Sequence, residues 1–194
     1  MGSQRTEKRL AEMMILGNRQ GEIGMNTLEV MEKGTVLSFS YEELLKYHGV
    51  GYPGGVAHAF QVMRRAFPLL DDGKLIERRE ISLVTAFPGP GGLDAFEMVT
   101  RCVTDGRILV DKELPEAADE MESPHGRYYF RFAYRGRSVV VTIRPGFVKA
   151  EFVQLARKEN LTQEEADLLI RMKKEMASRL LSAEAAEIYR AEVL

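Results

Sequence analysis

Tyr128-Tyr129-Phe130-Arg131-Phe132-Ala133-Tyr134-Arg135-Gly136-Arg137-Ser138-Val139-Val140-Val141-Thr142-Ile143 is the stretch on which the fold turns. Tyr128, Phe130, Phe132 and Tyr134 recur at the period of two that places side chains on one face of a pleated strand. Gly136 then marks a turn, and the β-branched run Val139 to Ile143 supplies a second strand. The pattern predicts a β-hairpin. Its aromatic stripe reads as core, because a sheet of this kind buries one face.

Working upstream from the hairpin, Arg107 to Asp111 reads as a short strand and Lys74 to Phe87 as a longer one, closed by Pro88-Gly89-Pro90-Gly91-Gly92. Between them Leu93, Phe96, Val99 and Val103 line one side of a helix that runs to the Cys102 region. Ser40 and Glu43 form a capping box, so a short helix begins at Tyr41 and ends near His48. His48-Gly49-Val50-Gly51-Tyr52-Pro53-Gly54-Gly55 cannot continue it, and a second helix is expected from Gly55 to before Pro68, with Val56, Ala59, Phe60 and Met63 on its apolar face. Thr35 to Phe39 is extended, and Arg5 to Leu16 reads as an N-terminal helix broken by Gly17, Gly21 and Gly24.

Downstream, Phe147 to Glu159 looks helical. Thr162 and Glu165 form another capping box ahead of Leu168, Leu169, Met172, Met176 and Leu180. No repeat and no low-complexity linker interrupts the chain. The expected architecture is α+β, a mixed or antiparallel sheet with packed helices and a helical C-terminal extension without a zinc-finger module. It divides into an N-terminal helix and loop (1–34), an α+β core (35–160) and a C-terminal helical segment packed on the core (161–194).

Composition narrows the classes of function. The chain has 194 residues, 45% hydrophobic and 29% charged, which is ordinary for one globular domain. Lys and Arg total 27 against 29 Asp and Glu, a formal net charge of -2, so no basic field invites nucleic acid. A single Cys excludes an intrachain disulfide and points to a reducing cytoplasm. No apolar run approaches the ~20 residues that span a bilayer, and a soluble protein with no membrane partner is expected. Met1, Gly2 and Thr6 satisfy the letters of a myristoylation pattern, a short match that arises by chance.

Gly49-Val50-Gly51-Tyr52-Pro53-Gly54 also satisfies the letters of the dinucleotide motif GxGxxG, but it follows a helix where that motif needs a strand. Glycine-rich loops before Val56 and before Leu93 lead into helices whose first N–H groups can hold a carboxylate or phosphate. Gly49, Gly51, Tyr52, Gly54, Gly91 and Gly92 are the candidate ligand-binding positions. The alternative for both loops is tight turning between packed elements.

Nitrogen and sulfur ligands are scarce: His48, His58, His125 and Cys102 are the whole supply. A metal site would combine His48 and Cys102 with Asp94 or water and keep an open position. Structural roles compete with each assignment. His48 sits where it can meet helix-end carbonyls, Cys102 suits a buried apolar niche, His58 falls inside a helix, His125 lies in a loop, and Asp94 can stabilise a helix start. Arg64-Arg65, Glu77-Arg78-Arg79-Glu80 and Arg171-Met172-Lys173-Lys174 read as solvated faces. There is no GxSxG elbow, no Walker lysine loop and no HExxH.

The segment Tyr41 to Gly54 resembles the signature of the FmdE-like family of formylmethanofuran dehydrogenase subunits, which commonly reads FHGHLCPG; His48, Gly49, Pro53 and Gly54 match. Gly91 to Ala95 and Thr100 to Cys102 look like that family's CxxDA helix ending in TGCT, retaining Asp94, Ala95, Thr100 and Cys102. The hairpin and the helix after Thr162 fall where the family places theirs. The resemblance implies an α+β core, often homodimeric, with a metal-binding cleft around the loop. Its members are associated with molybdenum or tungsten formylmethanofuran dehydrogenases of methanogenesis, or with relatives outside methanogens. Here Val50 replaces the second His, Tyr52 the loop Cys and Gly91 the helix-start Cys, and the C-terminal cysteine-rich finger of many relatives is absent. A rearranged site would add His58, Tyr52 and Asp94 to His48 and Cys102, with zinc as its metal.

Three functions compete: an accessory protein with a metal cleft, a metal-free module for a small anionic ligand, and a structural dimer-forming protein. Were the chain an enzyme, His48 or Tyr52 would be its acid–base group and Cys102 a ligand or nucleophile.

Overall fold

The computed structural model describes residues 27–194. The helix expected over Arg5 to Leu16 lies outside the described residues. Those that are described build six α-helices and nine strands in an α+β arrangement of mixed and antiparallel sheets.

The aromatic hairpin forms as expected. Strand β7 (Tyr129–Tyr134) pairs antiparallel with β8 (Arg137–Ile143), joined by Arg135 and Gly136 at φ 45° and 85°. Two consecutive residues in that left-handed region make the tight turn whose twist suits a hairpin, and Gly136 adopts it without strain. Phe130 and Phe132 are fully buried, and Tyr128 and Tyr134 nearly so. Around this pair the main sheet has the order β4-β3-β7-β8-β9, where β3 is Ser82–Thr85, β4 Ile108–Val110 and β9 Tyr189–Val193. Within it only β3 and β4 run parallel.

Several boundaries differ from the sequence pattern for identifiable reasons. The long strand expected over Lys74 to Phe87 shrinks to four residues because a short 3₁₀ turn (Arg78–Glu80) precedes it. Arg78 fixes that turn by reaching inward to donate to the carbonyls of Val99 (2.7 Å) and Met98 (2.5 Å). Two strands are invisible to periodicity. β1 (Thr27–Glu32) pairs with β2 (Thr35–Ser40) as a small hairpin, so the loop expected up to residue 34 is partly strand. β9 completes the main sheet at the end of a segment expected to be wholly helical. Glu122–Ser123 (β5) and Gly126–Arg127 (β6) form a further two-stranded pair.

Among the helices, α1 (Tyr41–His48) has the expected capping box, with Ser40 Oγ accepting from Glu43 N and Glu43 accepting from Ser40 N. Helix α2 runs Pro53–Leu70, longer at both ends than expected. Pro53 occupies the first turn, where its missing N–H costs nothing. Pro68 lies in the last turn, which continues because Phe67 and Leu70 are both buried. Helix α3 (Pro90–Thr100) likewise starts on its proline, three residues before Leu93. Helix α4 covers only Ala150–Ala156, α5 is the capped Gln163–Leu181, and α6 is the single turn Ala185–Ile188.

Helix α2 is the central element, touching α3, α5 and strand β8. It is buried on nearly every side, with Val56, Ala57, Ala59, Phe60, Val62, Met63 and Ala66 all at 1% exposure or less. A helix buried on this many sides belongs to the core rather than to the surface. Its buried Gln61 is satisfied by donating to the carbonyls of Leu180 (2.6 Å) and Ala183 (3.1 Å), which also occupies orphan acceptors at the end of α5.

The starts of α2 and α3 meet at backbone distance. A Cβ on Gly91 would lie 2.6 Å from the Tyr52 carbonyl oxygen, and one on Gly55 would lie 3.3 Å from the Gly92 nitrogen. Gly91→Ala is therefore expected to destabilise the protein by about 1–3 kcal/mol. Gly51→Ala, where nothing lies within 4 Å of the new methyl, should change stability by no more than about 0.5 kcal/mol. Urea midpoints of the two variants against the parent protein check the contrast.

Candidate functional site

The two glycine-rich corners frame one hollow. Helix α1 ends at Gly49, whose φ of 91° turns the chain while its N–H bonds the Leu45 carbonyl at 2.8 Å. Two more residues bring Tyr52 to the start of α2, and Gly89 stands at the start of α3. Neither helix has a side-chain cap, so the first-turn N–H groups of Gly54, Gly55 and Gly91 lack intrahelical partners. Beside them is a cavity of about 170 Å³. Its walls come from five parts of the chain: Tyr52, Gly54, Gly55 and His58; Phe87 to Gly91; Ser123 to His125 with Tyr128; Phe152 and Ala156; and Leu169, Lys173 and Met176.

The deep end is polar and unsatisfied. His58 is fully buried, and its Nδ1 lies 2.7 Å from the Tyr189 hydroxyl on β9. The ring sits against Tyr128, centroids 4.5 Å apart, with Phe87 at 6.0 Å. Among the described residues its Nε2 has no hydrogen-bond partner, and neither does the buried Ser123 Oγ. Natively buried polar atoms are rarely left this way, and each such atom calls for an explanation. Burial pushes the His58 imidazolium down from its ordinary pKa of 6.5 to about 3, so the ring is neutral at physiological pH.

At the mouth the character changes. Lys173 Nζ lies 4.0 Å from the centre of the half-exposed Tyr52 ring and 3.4 Å from the Gly51 carbonyl oxygen. Burial lowers its pKa. His125 is exposed at the same rim. The intervening wall is apolar, formed by Phe87, Phe152, Leu169 and Met176.

The four side chains expected to hold a metal occupy three different places. His48 and Asp94 meet, Nδ1 to Oδ2 at 2.7 Å, and the His48 ring lies 5.7 Å from that of Tyr52. The helix-start role considered for Asp94 gives way to this pairing, since Gly89 is the N-cap of α3. His58 faces the cavity instead. Cys102 lies just beyond the opposite end of α3, whose last residue, Thr100, is six residues and so about 9 Å past Asp94 along the helix. It is 1% exposed within the hydrophobic core, and its backbone N–H bonds Thr100 Oγ1 at 3.2 Å. Burial, the largest influence on it, raises the thiol pKa. Among the described residues no group of three or more His, Cys, Asp or Glu side chains is placed to hold a metal ion.

Of the six positions expected to bind a ligand, Tyr52, Gly54 and Gly91 line the cavity, whereas Gly49, Gly51 and Gly92 do not. Gly54 and Gly91 also explain themselves by packing: a Cβ on Gly54 would meet Met176 Cε at 2.3 Å. Tyr52 and Gly91 both border the hollow. Val50 is 90% exposed and does not line it. Ser123, Tyr128 and Lys173 carry no sequence signal for this role; Lys173 reads as one charge of a solvated run. No family model and no curated protein sequence matches the chain.

Two expectations follow from burial. An unfolded chain takes a proton on His58 below pH ~6.5 and the folded chain only near 3. The His58 contribution to stability is thus complete above pH 6.5 and falls as pH is lowered through that window, by up to about 1.4 kcal/mol per unit. Denaturant titrations at pH 7 and 4.5 should show His58→Gln losing less stability over that step than the parent, and the parent's His58 ring resonances should not titrate down to pH 5. The Cys102 thiol should be inert to a thiol-specific disulfide reagent in the native protein and react fully once urea unfolds it.

Proposed function

We propose that this chain is a small-ligand-binding protein similar to the FmdE-like proteins of formylmethanofuran dehydrogenases, whose cavity holds one small organic anion without a metal. The observation that carries the reading is the pair of buried polar atoms, His58 Nε2 and Ser123 Oγ, that have no partner among the described residues and belong to two residues lining a largely apolar hollow. Leaving both unmade is costly, and a bound acceptor removes that cost. Lys173 and the first-turn N–H groups of α2 and α3 add positive potential toward the opening. Few convergent polar groups in a concave apolar site are the usual composition of a small-molecule pocket.

The zinc reading draws less support, because His48, His58, Asp94 and Cys102 do not converge on one point. The His48–Asp94 contact is the arrangement that orients a metal-bound imidazole elsewhere, but here it lacks the further ligands of such a site. The accessory role beside a molybdenum or tungsten enzyme and the homodimer come with the resemblance to the FmdE-like family, and the cytoplasmic setting with the single Cys.

A thermal-shift series with small carboxylates tests the anion reading. Stabilisation is expected to rise with ligand concentration and to be identical with and without chelator. Ala156→Trp, which fills the opening from the end of α4, should abolish the shift while leaving the unliganded melting temperature within a few degrees. Stabilisation that appears only with added zinc would overturn the anion reading.

A further inference from the structure

The chemistry of the cavity's two ends is asymmetric, and the asymmetry selects a ligand. The Tyr189 hydroxyl has one proton and two neighbours on His58: Nδ1 at 2.7 Å and the carbonyl oxygen at 3.5 Å. The distances allow two arrangements, and the one with the hydroxyl donating to Nδ1 is favoured, because a hydroxyl proton turned toward the carbonyl at 3.5 Å would be nearly unpaired in this buried place. With Nδ1 accepting, a neutral ring must carry its own hydrogen on Nε2. That nitrogen is fully buried and unpartnered among the described residues, on a ring that lines the cavity, so the deep end offers a fixed neutral donor, supplemented by the rotatable hydroxyl of Ser123.

Lys173, at the mouth, is the only Lys or Arg among the described lining residues; the Arg157 guanidinium behind Ser123 is taken up by the Ser123 and Pro124 carbonyls and neutralised by Glu122. An ionised carboxylate drawn to the deep end would lose its water without gaining a counter-charge, which strongly disfavours it. A neutral carbonyl oxygen loses far less and satisfies Nε2–H. The carboxylate belongs at the mouth, beside the Lys173 ammonium and within reach of water. Between the ends the wall is apolar, and the hollow of about 170 Å³ is close to the ~150 Å³ that accommodates benzene in an engineered protein cavity.

Building on the anion-pocket reading, we propose that the ligand is a short-chain oxo acid, its ketone or aldehyde oxygen accepting from His58 Nε2–H and its carboxylate held at the mouth by Lys173. The two polar ends are joined by an aliphatic segment of a few carbons lying along the apolar wall.

The test uses the full chain at pH 8 and calorimetric titration with matched sets: 4-oxopentanoate and 5-oxohexanoate, the plain acids pentanoate and hexanoate, and the ketones 2-pentanone and 2-hexanone. At least one oxo acid should bind about tenfold more tightly than both of its matched partners, as expected when a buried donor is satisfied rather than left unpaired. Lys173→Met should erase the advantage of that oxo acid over its matched ketone. Nitrogen-15 NMR should show His58 protonated on Nε2 and should show that resonance moving with the oxo acid but not with the plain acid. Plain acids binding as tightly as oxo acids, or a proton on Nδ1, would overturn the oxo-acid assignment while leaving an anion pocket standing. Failure of all six compounds and of other small carboxylates to bind would overturn both readings.

Discussion

The starts of two helices meet with no side chain between them, and this close approach sets the spacing of everything around the cavity. Gly55 faces the backbone of Gly91 and Gly92, while Gly91 faces the carbonyl of Tyr52. Gly54 lets the Met176 side chain of α5 come down on the same helix turn. Larger residues at these positions would push α2, α3 and α5 apart, and the hollow bounded by Phe87, Tyr128 and Met176 would lose its shape. The glycines therefore act on the site through packing, even where they also border it. Turning and ligand binding, which look like rival explanations of a glycine-rich loop, act here at the same place.

Elements governed by local rules are legible in the sequence. The capping boxes at Ser40 and Thr162 start helices where they should, and the aromatic alternation from Tyr128 gives a buried strand in the expected hairpin. Elements governed by distant contacts are not. Nothing local distinguishes Tyr189 to Val193 from a helix end; it becomes a strand because β8 offers a free edge. Lys74 to Phe87 alternates like a strand, yet Arg78 turns inward because the carbonyls of Met98 and Val99 need donors. Prolines also mislead, since Pro53 and Pro90 open helices and Pro68 is accommodated inside the last turn of one.

The site is half legible for the same reason. Composition restricts nitrogen and sulfur ligands to four residues, and the glycine-rich loops before Val56 and before Leu93 do border the cavity. The grouping of His48 with Asp94 is legible too, and the two side chains meet, but no local rule sends Cys102 into the core or brings Ser123 to the cavity that His58 lines, because those relations depend on how α3 and the β5–β6 hairpin are placed. Burial reverses roles as well. A histidine inside a helix reads as ordinary, but at zero exposure with one nitrogen tied to a phenol it becomes the most constrained polar group at the cavity.

That phenol belongs to strand β9, separated from its imidazole by 131 residues of chain. Contacts spanning so much sequence form slowly, since the intervening segment must be ordered before they can close. The strand that closes one edge of the main sheet also holds the imidazole at the cavity, so that loosening β9 from β8 would free the ring without touching any residue of the cavity wall.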